Sequence, residues 1–117
     1  MQGNKEESLC GIKNYLRKEF ELDDNDIEEM VDEYFKNMDS LIEKGGIQSR
    51  DAAWEELGRT GHSIKGASAN IGANVMSETG KSLELSAREA KKDECRQALE
   101  KLRADFDNLR KQRVDEK

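Results

Sequence analysis

The 117-residue sequence holds a single histidine, His62, inside the stretch "GHSIKGASANIGA" from Gly61 to Ala73. Imidazole titrates near neutral pH, and its nitrogen is both a good nucleophile and a good leaving group. It therefore suits proton transfer or the carriage of a group. Arg59 and Lys65 stand three residues either side of His62, so on a helix all three share one face. Residues 57 to 77 contain no Asp or Glu, although acids make up 26 of the 117 residues. A random scatter would place about four to five acids among those positions. Cationic surroundings in an acidic chain suit an anion, and phosphate is the natural one for an imidazole to carry. Lys65 would supply charge to the phosphoryl oxygens, with backbone and hydroxyl donors assisting and Arg59 in reach of the same role.

Other chemistries find no residues. There is no second histidine, no Ser–His or Cys–His arrangement, and no credible metal-ligand set. The glycines are scattered and form no nucleotide-binding loop, which speaks against kinase activity of the chain's own. Carboxylate pairs such as Glu28 and Glu29 read as a solvated helix face. Cys10 and Cys95 lie far apart; one long-range disulfide is conceivable, but reduced thiols in the core of a cytosolic protein are the expectation.

Helices must position the histidine. The sequence has no proline and few aromatics, and no segment alternates with period two. A short first helix is expected over about Glu7 to Phe20, with Leu9, Ile12, Leu16 and Phe20 on one side. Asp23 or Asp24 then caps a second, whose apolar positions run from Ile27 to Ile42 and which "KGG" at Lys44 to Gly46 should stop. Ser49 is placed to cap a third helix carrying Trp54, Leu57, Gly61, Ile64, Ser68 and Ile71, with Gly72 as its terminator. Asn74 caps a fourth, running to about Lys91 with Met76, Gly80, Leu83, Ala87 and Ala90 inward. Asp93 caps a fifth, striped by Cys95, Leu99, Leu102, Phe106 and Leu109. The expected fold is all-α: an antiparallel up-down four-helix bundle with a short additional N-terminal helix.

On the third helix His62 stands roughly 140–160° from both Leu57 and Ile64, at about 100° per residue. It faces away from the core stripe, which argues against a buried core histidine and leaves an ordinary surface histidine as the plain alternative. Gly58, Gly61 and Gly66 lie in the same helix, each costing about 1 kcal/mol relative to alanine. Gly61 falls on the core stripe and suits close helix packing. Gly66 falls on the exposed face and opens room above the imidazole, and Ala69 continues that strip.

These residues resemble the signature of histidine-containing phosphotransfer domains: a histidine followed at +3 by Lys, at +4 by Gly, then small residues, and Gly at +10. Here they are His62, Lys65, Gly66, Ala67, Ser68, Ala69 and Gly72, with apolar Ile64 and Ile71 between. The resemblance extends in outline from Leu22 to Leu109, through "MVDEYFKNM" and "SLELSAREAKK" with its Leu83 and Arg88. It implies a phosphocarrier in a multistep phosphorelay. His62 accepts a phosphoryl group from an aspartyl phosphate on one receiver domain and passes it to an aspartate on another. It implies Lys65 as the phosphate-side cation, with Arg59 and Arg88 as further candidates, and Ser63, Gly66 and Ala69 as the receiver-docking surface. It implies no intrinsic cofactor, Mg²⁺ belonging to the partner receiver, and an upstream hybrid sensor histidine kinase. The chain departs from the pattern at Gly61, often alanine, and at Glu84, often neutral or variable. A carboxylate near phosphohistidine would repel it, or would orient the unphosphorylated imidazole; both readings stand at this point.

Size and charge bound the rest. The length fits one domain over 1–117, with a core of about 22–110 and a polar tail of about 111–117 expected to fray. A formal charge of −6 disfavours nucleic acid and anionic membrane surfaces as partners. No apolar run approaches the ~20 residues that cross a bilayer, and the polar N-terminus shows no signal peptide, so a cytoplasmic protein is expected, and the resemblance implies a monomer. The competing function is a helical adaptor that binds a receiver or kinase without being phosphorylated; it would keep working with His62 replaced by Gln.

Overall fold

The computed structural model describes residues 7–116. Five helices follow one another: α1 (Leu9–Phe20), α2 (Asp24–Arg50), α3 (Trp54–Asn70), α4 (Asn74–Arg88) and α5 (Lys92–Asp115). No strand occurs among the described residues. α3 packs most extensively on α4, α4 also packs on α5, and α2 packs on both α3 and α5, so the apolar stripes close round one core. Leu57 and Ile64 of α3 meet Met38 of α2, Leu83 of α4 and Phe106 of α5 there, all of them buried. Each such side chain contributes about 1.5–3 kcal/mol by leaving water. Trp54 and Phe35 are half-buried at the core's edge. No helix among the described residues is long and apolar enough to cross a membrane.

Local chemistry explains most boundaries. Ser8 Oγ accepts the Gly11 N–H at 3.1 Å to start α1, and Asp23 Oδ1 accepts the Asp26 N–H at 2.9 Å to start α2. Other boundaries depart from expectation. The "KGG" stretch does not stop α2, which continues to Arg50. A Cβ at Gly45 would lie 3.0 Å from Leu99 Cδ2, so this glycine serves close packing of α2 on α5 rather than termination. Neither Ser49, Asn74 nor Asp93 caps a helix. α3, α4 and α5 follow Ala53, Ala73 and Lys91, none of which caps its helix with its own side chain, and Asn74 and Asp93 sit within the first turns. α4 ends at Arg88, and Ala90 is exposed in the turn beyond it at φ 53° rather than facing inward. Phe20 is likewise exposed at the end of α1.

The tail expected to fray is largely helical, because tertiary contacts hold it. Gln112 Oε1 accepts the Leu9 N–H at 2.7 Å, and Arg113 reaches Glu28 at 2.9 Å and Asp32 at 2.6 Å. Glu28 also meets Lys13 at 2.6 Å, so it belongs to a network joining α1, α2 and α5 and not merely to a solvated face. Cys95 is buried but Cys10 is exposed, opposite the Leu9–Ile12–Leu16 stripe; both are free thiols, and only Cys95 lies in the core.

The N-terminal segment also touches the turn after α3. Gly72 adopts φ +76°, and Tyr15 packs so closely on it that a side chain there would collide with the ring. Glu7 Oε1 accepts the Met76 N–H at 2.7 Å, capping α4 from outside the helix. The fold therefore braces both ends of the α3–α4 turn.

Candidate functional site

The site begins with two glycines facing each other. A Cβ on Gly61 would stand 2.7 Å from the Glu84 nitrogen, and one on Gly80 would stand 2.8 Å from the Lys65 nitrogen. Neither position accepts a side chain without separating α3 from α4. His62 follows Gly61 directly, and Glu84 lies one turn beyond Gly80, so the close crossing brings imidazole and carboxylate together. His62 Nδ1 lies 3.1 Å from Glu84 Oε2. Lys65 Nζ donates to Glu84 Oε1 at 3.1 Å, and Arg88 Nη2 donates to Oε2 at 2.7 Å. Three donors thus converge on one carboxylate. Ser77 Oγ donates to the Lys65 carbonyl at 2.9 Å, tying the start of α4 to the same turn of α3.

Exposure divides the cluster. The His62 side chain is 65% exposed while that of Glu84 is 5% exposed. Burial pushes the Glu84 carboxyl up, but the Lys65 hydrogen bond and the charges of Lys65, Arg88 and His62 outweigh it and hold it below the usual carboxylate range. Glu84 is therefore an anion at neutral pH, and an anionic acceptor calls for a proton on the nitrogen facing it. Neutral His62 then carries its hydrogen on Nδ1 and keeps the lone pair on Nε2, at the far side of the ring from Glu84.

The candidates named from sequence separate clearly. Lys65 and Arg88 join His62 through Glu84. Arg59 shares the face but pairs with Glu55 one turn back, at 3.8 Å. Ser63, Gly66 and Ala69 are exposed on α3 beside the imidazole. A Cβ at Gly66 would meet nothing within 4 Å, so packing within the chain does not require this glycine, whereas it does require Gly61. The acid-free stretch holds along the chain but not in space, since Glu84 enters the site from α4. The sequence carries two signals from which it could have been placed: the Glu84–Arg88 spacing of one turn, and a glycine on the inward stripe of each of the two helices.

Across residues 25–112 the chain matches the family model described as Hpt domain. No curated protein and no solved structure matches it. Hpt domains are helical phosphocarrier modules rather than catalysts, and they interact with receiver domains and kinases. With the match spanning most of its length and its helices forming a bundle, the chain belongs to the Hpt domain family.

Proposed function

We propose that the protein is a histidine phosphocarrier of a multistep phosphorelay, with His62 as the residue that bears the phosphoryl group. One observation carries this reading: an exposed imidazole whose Nδ1 is held by a buried anionic carboxylate, with Lys65 and Arg88 at the same carboxylate. The lone pair on Nε2 attacks the phosphorus of an aspartyl phosphate on a receiver. The Nε2–P bond forms, the acyl P–O bond breaks, and the aspartate carboxylate leaves with the electron pair. In the onward step an aspartate oxygen of a second receiver attacks, the N–P bond breaks, and the pair returns to Nε2. The hydrogen on Nδ1 stays in place throughout, so no proton has to move at His62 in either direction.

Lys65 and Arg88 lie close enough to turn from Glu84 toward phosphoryl oxygens, which favours the charge that develops in transfer. Arg59 stands further along the face and contributes long-range charge. The exposed strip of Ser63, Gly66 and Ala69 lets a receiver's backbone approach the imidazole, and the receiver brings the Mg²⁺. In this reading α2 to α5 form an up-down four-helix bundle with α1 across one end. The module is a single cytoplasmic domain, monomeric, and fed by a hybrid sensor kinase.

The test is direct. Mixed with a phosphorylated receiver domain, the purified protein gains an acid-labile, base-stable phosphoryl group, and His62→Gln does not. Failure to gain label from any receiver of the source organism, or label that persists in His62→Gln, contradicts the reading and leaves the adaptor function.

A further inference from the structure

We propose that Glu84 raises the transfer potential of phosphorylated His62, so that this domain is built to pass a phosphoryl group on rather than to store it. The inference rests on the phosphocarrier reading above and concerns the direction in which that carrier works. Two features of the cluster point the same way.

The first is the hydrogen on Nδ1. With the phosphoryl group on Nε2, loss of that group from a ring still protonated at Nδ1 releases neutral imidazole. Loss from a ring without that hydrogen must release imidazolate, a far poorer leaving group. Glu84 Oε2 stands 3.1 Å from Nδ1 and holds the hydrogen there. The carboxylate thus keeps the phosphoryl group in its transferable form.

The second is the charge count. The groups facing Glu84 are Lys65 and His62 from α3 and Arg88 from its own helix. Before phosphorylation one anion shares two permanent cations. A phosphoryl group brings close to two further negative charges. Lys65 and Arg88 are then divided between Glu84 and the phosphoryl oxygens, and the carboxylate, buried and unable to swing away, repels the group that His62 carries. A neutral residue at position 84 would leave both cations to the phosphoryl group.

The experiment loads His62 chemically, without any receiver. Phosphoramidate serves as donor: its P–N bond breaks, ammonia leaves, and the Nε2–P bond forms. After removal of the donor, loss of the phosphoryl group is followed by ³¹P NMR in the wild-type chain, Glu84→Gln and Glu84→Met, each checked for helical content by circular dichroism. Both variants remove the charge, and Met also removes the acceptor, so one serves if the other fails to fold. The expected result is a phosphohistidine lifetime lengthened on the order of tenfold in both variants, even though Glu84→Met loads more slowly because its ring is no longer oriented. A merely structural role would lower loading without prolonging the lifetime. Equal or shorter lifetimes in the variants overturn the inference while leaving the carrier intact. Absence of phosphohistidine at His62 in the wild-type chain overturns the carrier reading itself.

Discussion

Glu84 and Glu7 are both buried carboxylates, and the protein treats them in opposite ways. Glu7 comes from the N-terminal segment and accepts a backbone N–H at the start of α4. Burial pushes its carboxyl up, and the nearby Asp105 charge adds to this, against the lowering by the Met76 and Val75 backbone groups and by Lys101. Glu84 sits about two turns further along α4, where Lys65, Arg88 and His62 hold its carboxyl down despite burial. Similar burial therefore gives opposite shifts, because one site offers mainly backbone dipoles and the other offers cations. The contrast separates two jobs at one helix: Glu7 fixes where α4 begins, and Glu84 gathers Lys65, Arg88 and His62 on its outer side.

The largest perturbation that breaks the contrast is at the crossing itself. Gly61→Val puts a branched side chain where the Glu84 backbone already lies, and should cost about 3 kcal/mol or more in denaturant unfolding while separating His62 from Glu84. A variant as stable as wild type would show that the crossing does not set the site. Next, Glu7→Ala removes the cap on α4 and should cost about 1 kcal/mol in the same measurement.

The pH dependence sharpens the contrast through its sign. Glu84 is depressed in the folded state, so its contribution is present above the ordinary value of 4.5 and is lost as pH falls through the lower folded value. Thermal melts should show Glu84→Gln losing less stability on acidification than wild type. Glu7 is raised, so its contribution is present below 4.5 and is lost as pH rises through the higher folded value. Glu7→Gln should therefore remove a decline in stability on the way up from acid. Matching profiles for the two variants would refute the distinction. The smallest effect is expected at Gly66, where the space is open. Gly66→Ala should leave the protein as stable or more stable, by up to ~1 kcal/mol from helix propensity, yet slow transfer from a receiver. Transfer at the wild-type rate would remove Gly66 from the docking surface.

Much of this was legible in the sequence. The spacing of Leu57 and Ile64 already turned His62 outward, and the apolar periods of α2, α3 and α5 located those helices. What was missed depended on partners distant in sequence. Gly45 reads as a helix stop until Leu99 is seen against it. Gln112 and Arg113 read as a fraying tail until Leu9, Glu28 and Asp32 are seen to bind them. Arg59 and Arg88 looked equally plausible; each pairs with an acid one turn back, Arg59 with Glu55 and Arg88 with Glu84, and of these two acids Glu84 is the one that also meets His62. Glu84 could be named as a departure from pattern, but its role needed the Gly61–Gly80 contact, which no periodicity in one helix encodes.

The most direct test of the account is which nitrogen carries the phosphoryl group. In the phosphorylated protein labelled with ¹⁵N-histidine, the ³¹P–¹⁵N coupling should fall on Nε2 of His62, with Nδ1 still bearing its hydrogen toward Glu84. Coupling to Nδ1, or a phosphoryl group on any other residue, would contradict it.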